Sequence, residues 1–302
     1  MLRPLLCAPV PCWPVCRALC LAGALLLAGC AGSAPPAPWP GRLLGLLPAD
    51  ALLLGEQHDA AEHQRLQRQA VQWLAARGQL AAVVIEMAEH GHGTRGLPRQ
   101  ASQAQARAAL QWNDAAWPWS SYGPVVMAAV AAGAPVLGGN LPRSRLRAAM
   151  DDAAWDRHLP APALQRQYDA LRQGHCGLLP EAQLVPMARM QIARDASLAR
   201  TVQQALHPGQ SVLLLAGNGH VLRRLGVPTH WPASLVSKVV MMQTLQTQSA
   251  RTEIDDEADM VITTPALPPR DACAVLRRSR SGMAAPPALS SASPAATIAP
   301  RP

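Results

Sequence analysis

Four short apolar runs, each bounded by turn-forming residues, read as buried strands: ALLL at 51–54, LAAVVIEM at 80–87, APVLGGN at 134–140 and SVLLLAGN at 211–218. Helical patterns separate the early runs, and that alternation predicts an α/β fold, a mainly parallel sheet flanked by helices. Asp59 followed by Glu62 makes a capping-box pattern; Leu66, Ala70, Trp73 and Leu74 form an apolar stripe at helical spacing, closed by Gly78. A second helix is predicted over Val125 to Ala132, entered through Pro124 and ended at Gly133. Between about 89 and 119 the chain is polar, Ala-rich and weakly periodic, which reads as an inserted helical subdomain, a lid or side wall. From Pro180 to Leu206 a longer helix places Met187, Gln191, Arg194, Leu198 and Val202 on one stripe, with Asp195 at its edge. Polar groups on a core-facing stripe cost free energy unless paired, so a buried polar network is expected there. Two further strands, SLVSKVVMMQ and ADMVITT, lie within 234–264.

The strands end in polar groups. The first runs into Gly55, Glu56, Gln57, His58 and Asp59, the second into Glu86, the third into Asn140 and then Arg143, the fourth into Asn218 and His220. In an open parallel sheet all carboxyl ends share one edge, where ligands bind, so a crevice is expected from Glu56, His58, Glu86, Asn140, Gln191, Asp195, Asn218 and His220. His58 falls just before a helix start, where the dipole disfavours protonation, and a neutral imidazole there can accept a proton or bind a metal. Gly55, Gly217 and Gly219 suit the sharp strand-to-loop turn. On these residues alone, Glu56, His58, Glu86 and His220 are candidate catalytic groups of a hydrolase, with or without a divalent metal. Gly217-x-Gly219 lacks the acidic partner and second strand-helix unit of a dinucleotide site. His90 and His92 read as an exposed loop, and His63, His158, His207 and His230 as surface residues.

Charge and cysteines add a location. Arg3 and Arg17 precede an apolar run, 18–28, that is shorter than the ~20 residues a spanning helix needs and ends in small residues, the layout of an export signal. Leu27, Ala28, Gly29 and Cys30 resemble the lipobox of bacterial lipoproteins, in which the Cys is acylated and becomes the mature terminus. This divides the chain into a signal at 1–29, a lipidated Cys30 and flexible tether at 30–44, a main domain at 45–280 and a Pro/Ala/Ser-rich tail at 281–302, read as disordered. It also implies a lipid anchor, palmitate included, at the outer membrane of a Gram-negative bacterium. Losing two arginines with the signal takes the formal charge from +8 to +6. The basic residues are scattered arginines without interleaved aromatics, which argues against nucleic acid. Cys176 and Cys273 are then the one pair available for a disulfide in an oxidising compartment, while His175 beside Cys176 leaves a metal pair as the alternative.

The ordered series LLLGEQHD, VVIEM, WSSYGPVV, GAPVLGGNLPR, HCGLLPE, QIARDASLA, LLLAGNGHVLRRLGVP and RDACAVL resembles the ChaN-like haem-binding lipoproteins, relatives of the TraB/Tiki and erythromycin esterase-like proteins. The resemblance spans about residues 45–277. It implies an α/β core with a helical subdomain and a part in iron acquisition through haem. In the best-known type of member, haem sits at a dimer interface, with a Tyr on the iron and a His of the partner subunit at a propionate. The resemblance therefore implies haem as cofactor, a homodimer on haem binding and an outer-membrane haem receptor as partner. Tyr122, beside Trp112, Trp117 and Trp119, is the first candidate for the iron and Tyr168 the second, with His175, Arg143 and Arg194 as further cofactor-binding candidates.

Overall fold

Branched and straight aliphatic runs with no interior charge pair side by side because each can bury both faces. A computed structural model of the chain describes residues 38–245, 256–269, 271, 273–274 and 276–278. The expected export signal, Cys30, the tether up to residue 37 and the tail at 281–302 lie outside the described residues. Six strands, β1 (Ala51–Glu56), β2 (Leu80–Glu89), β3 (Val136–Asn140), β4 (Ser211–Gly217), β5 (Ser237–Thr244) and β6 (Met260–Thr264), form one parallel sheet in the order β3-β2-β4-β1-β5-β6. All six runs expected as strands are strands.

Alternation along the strands sorts side chains into two cores. On one face Leu52, Leu54, Val83, Ile85, Leu213 and Leu215 pack against α1 (Ala61–Ala76) and α3 (Trp119–Ala132). On the other, Leu53, Val84 and Leu214 meet Leu198 and Val202 of α6 (Leu184–Ala205). The predicted helices are present, with informative differences. Residue 60, an alanine, occupies the α1 N-cap with no side-chain cap, so the Asp59/Glu62 capping box does not form. α3 starts six residues earlier than expected and contains Pro124, because Trp119 and Tyr122 extend its buried face. It ends at Gly133 (φ 81°), a left-handed position that glycine occupies without strain.

The segment at 89–119 holds only one short helix, α2 (Gln103–Ala109), and Ala101, Ala106 and Leu110 join the main core. Turns prevail here because Gly91 and Gly96 take positive φ and Gly93 bridges to Leu137. The larger helical layer instead follows β3: α4 (Arg143–Asp151), α5 (Ala161–Gly174) and α6. A disulfide joins Cys176, just after α5, to Cys273, 97 residues on.

Candidate functional site

β1 delivers Glu56 to the sheet edge at 2% exposure. Its carboxylate is saturated: Gln64 Nε2 donates at 2.9 Å, Gln67 Nε2 at 2.7 Å and the Tyr122 hydroxyl at 2.6 Å, while His58 Nδ1 lies 2.8 Å from Oε1. The two glutamines come from α1, one helical turn apart, which is why both reach the same oxygen. Trp117 closes over His58 edge-on, with ring centroids 4.9 Å apart.

A second carboxylate, Glu86 of β2, sits 3.8 Å from His58 Nε2 and 3.5 Å from His220 Nε2, and accepts the Gly217 N–H at 2.8 Å. His220, on the four-residue turn α7 (Asn218–Val221), places Nδ1 2.6 Å from Asp195 of α6. The groups thus form a chain from Tyr122 through Glu56, His58, Glu86 and His220 to Asp195, crossing the sheet edge from one helical layer to the other.

The electrostatics follow from burial set against opposite charge. Burial would raise the Glu86 carboxyl, but His220, His58 and the Gly217 N–H outweigh it and hold the group down at about 2. Burial alone would lower His220, yet Glu86 and Asp195 raise it well above an ordinary imidazole. Asp195 is pushed up to about 6 by burial, only partly offset by His220. His58 is also raised: its burial is outweighed by the bond to Glu56 and the charge of Glu86. The lowering expected at His58 from the helix dipole is thus outweighed by two carboxylates, and the net shift is upward.

Of the other expected crevice residues, Asn140 donates to the Glu86 carbonyl at 2.9 Å, whereas Asn218 turns to the Met242 carbonyl at 2.9 Å. Gln191 accepts from Arg194 at 3.3 Å and lines a cavity of about 230 Å³ with His175, Asp195 and His220. Arg143 and Arg194 line a separate cavity of about 400 Å³ beside Glu86. Close approach explains two of the three strand-end glycines. A Cβ on Gly55 would meet Asn218 Oδ1 at 2.4 Å and one on Gly217 would meet His58 Nε2 at 2.9 Å, whereas Gly219 has nothing within 4 Å.

Tyr122 is 4% exposed, and burial together with Glu56 raises its hydroxyl well above the usual phenol range. That hydroxyl is a fixed donor in the polar chain, which opposes its expected use as an iron-bound phenolate. The neighbouring tryptophans are bonded internally, Trp112 Nε1 to the Trp117 carbonyl at 2.8 Å and Trp119 Nε1 to Gln103 at 2.9 Å. Tyr168, on α5, is half-buried among Leu164, Leu171, Leu184 and Met187.

The histidines expected at the surface divide. His207 is exposed. His63 is fully buried: Nδ1 accepts the Gln57 N–H at 3.0 Å and Nε2 bonds Thr264 Oγ1 at 2.9 Å. His158 and His230 stack face to face, centroids 3.8 Å apart, both partly buried. The residues that sequence reasoning missed as site partners, Gln64 and Gln67, had a signal: His63 and Gln67 continue the Ala70/Leu74 stripe of α1, so polar side chains face the core there.

Among the described residues no three His, Cys, Asp or Glu side chains are arranged to hold a metal ion. The pattern defines an α/β protein of one parallel sheet with a buried carboxylate–imidazole chain at its strand ends. The chain belongs to the family described as haem-binding uptake, Tiki superfamily, ChaN, whose model matches residues 44–230. Among solved structures it is similar to ChaN of Campylobacter jejuni, described for its cofacial haem binding: 24% identity, TM-score 0.59, covering 74% of this chain and 91% of that one. It also matches the type III effector HopBA1 at 14% identity and TM-score 0.41, covering 72% of this chain and 88% of that one. A comparison with curated proteins gives no match.

Proposed function

We propose that this protein binds haem and serves haem or iron acquisition as a lipid-anchored outer-membrane protein, with Tyr168 rather than Tyr122 on the iron. Membership of the haem-binding family over residues 44–230 carries the reading. The residues present suit the group. Tyr168 offers a half-buried phenol on an apolar patch, and among the described residues its hydroxyl makes no hydrogen bond. His175 follows at the end of α5, its Nδ1 fixed on the Leu171 carbonyl at 2.8 Å, which leaves Nε2 to meet a propionate. Arg189, anchored on Asp156 at 2.7 and 2.6 Å, lies within electrostatic reach of Tyr168 and would favour its ionised form. Haem would supply the ferric iron that a phenolate favours. The lipobox at Cys30 supports the anchor, and the cofacial haem binding described for the Campylobacter protein supports a homodimer closing on haem.

Haemin titration of the purified protein tests the assignment. Tyr168→Phe is expected to abolish the high-spin phenolate bands that wild type shows, and Tyr122→Phe to keep them. Loss in Tyr122→Phe alone would reverse the two residues, and no saturable binding at micromolar haemin would end the haem reading. The hydrolase expected as an alternative, metal-assisted or dependent on His and Glu of the strand-end crevice, is not favoured, since the family is a haem-binding one.

A further inference from the structure

A second cavity, of about 320 Å³, lies between α4 and α6, and no member of the strand-end chain and no haem-binding candidate lines it. On one side α4 contributes Arg145, Ala148, Ala149 and Asp152. On the other, α6 contributes Ala193, Ala196, Ser197 and Arg200. Both sets are spaced i, i+3, i+4 and i+7, so each forms one face of its helix, and the alanines between the polar ends leave a trough.

The two helices run in opposite directions. Arg189 Nη1 donates to the Met150 carbonyl at 3.3 Å, near the end of α4, whereas Arg143, at its start, shares a cavity wall with Arg194. Arg145, Ser197 and Arg200 therefore lie toward one end of the trough, and His90, held there by its N–H on the Asn140 carbonyl at 2.8 Å, joins them. Asp152 and the half-buried Trp155 lie toward the other end.

The basic end has donors without acceptors. Arg147 pairs with Asp151 at 3.0 Å and Arg189 with Asp156 at 2.6 Å, which occupies the nearby acids; among the described residues Arg145 and Arg200 form no ion pair. Ser197 is only 7% exposed, its hydroxyl makes no hydrogen bond among the described residues, and its oxygen is not closed off from the cavity it lines. Asp152, the one acid on the wall, already accepts the Ala154 N–H at 2.9 Å.

We propose that this trough binds a small phosphate monoester with a compact carbon body. The phosphate takes Arg145, Arg200, His90 and the Ser197 hydroxyl, and the body lies over the alanines toward the Trp155 ring. Near neutral pH a monoester is close to a dianion with three terminal oxygens, which matches two guanidinium groups and two further donors better than a two-oxygen carboxylate does. Asp152 sets the direction, since it repels the phosphate from the Trp155 end. The proposal does not depend on haem binding.

Isothermal titration of the full-length protein with phenyl phosphate, phenyl sulfate and inorganic phosphate tests it. Phenyl phosphate is expected to bind saturably and about tenfold more tightly than either the singly charged sulfate ester or inorganic phosphate, which lacks the ring. The exposed Arg145→Met and, separately, Arg200→Met should each weaken phenyl phosphate about tenfold, with circular dichroism unchanged and haemin affinity intact. Arg147→Met, which removes a neighbouring cation outside the trough, should leave the affinity unaltered. No saturable binding, equal affinity for phenyl phosphate and either comparison anion, or binding unaffected in both trough variants would overturn the proposal. So would an equal loss in Arg147→Met, which would show attraction to net charge alone, and a parallel loss of haemin in the trough variants, which would assign the trough to the carboxylates of haem.

Discussion

Glu56 shows how much one carboxylate can organise. Four side chains, from α1, α3 and the loop after β1, converge on it, so replacing one of its oxygens by an amide NH2 sets a donor against buried donors. Glu56→Gln is expected to cost ~2–4 kcal/mol in denaturant unfolding; a loss below ~1 kcal/mol would mean that the network relaxes freely. The glycines separate by the same kind of contact. Gly55→Ala, whose Cβ would strike Asn218 and Val221, should destabilise by ~1–3 kcal/mol, whereas Gly219→Ala, with open space around it, should be near neutral. At this scale the sequence was partly readable. Strand-end position alone identified Glu56, His58, Glu86 and His220 as neighbours, because parallel topology forces them onto one edge. It could not assign protonation: His58 is set by two carboxylates that meet it through space. Nor could it expose His63, whose partner Thr264 lies 201 residues away.

Among the elements, the connection between β3 and β4 shows most clearly what pattern reading can and cannot do. The stripe of α6 was legible, and its Asp195 pairs with His220 as a polar group on a buried face requires. The composition of the weakly periodic 89–119 segment predicts helix, yet its closely spaced glycines favour turns, and the helical layer lies after β3 instead. One joint in that layer is pH-sensitive. His230 is lowered to about 3 by burial and by the neighbouring His158. Between its ordinary value near 6.5 and about 3, the unfolded chain takes up a proton that the folded chain refuses, so stability falls as pH falls across that window. His230→Phe, which keeps a flat ring against His158, should flatten this acid limb in a series of melts; an unchanged limb would clear the stacked pair of responsibility. The disulfide acts on a neighbouring joint. Closing a 97-residue loop corresponds to as much as ~4–5 kcal/mol by chain entropy. Reduction is expected to speed hydrogen exchange around Cys176 first, ahead of the sheet.

For the whole molecule, stability against pH is bounded by the same buried chain. His220 is raised, so its contribution is complete below the unfolded value of 6.5 and is lost as pH rises through its folded value. Glu86, lowered to about 2, contributes fully above 4.5 and loses that contribution as pH falls toward about 2. Asp195, raised to about 6, works the other way and costs stability above that pH. Denaturant unfolding should therefore show an alkaline decline that His220→Asn removes; the same slope in wild type and variant from about pH 7 upward would place its origin elsewhere. The strand order carries a different consequence, for synthesis. β1 and β2, which hold Glu56 and Glu86, never touch each other as strands; β4 lies between them. A chain that stops before Ser211 therefore owns two unjoined half-edges and exposes open backbone to its neighbours. Premature termination or proteolysis upstream of that point should yield aggregates rather than a smaller folded protein, and ribosome-bound chains should resist protease only after β4 has emerged.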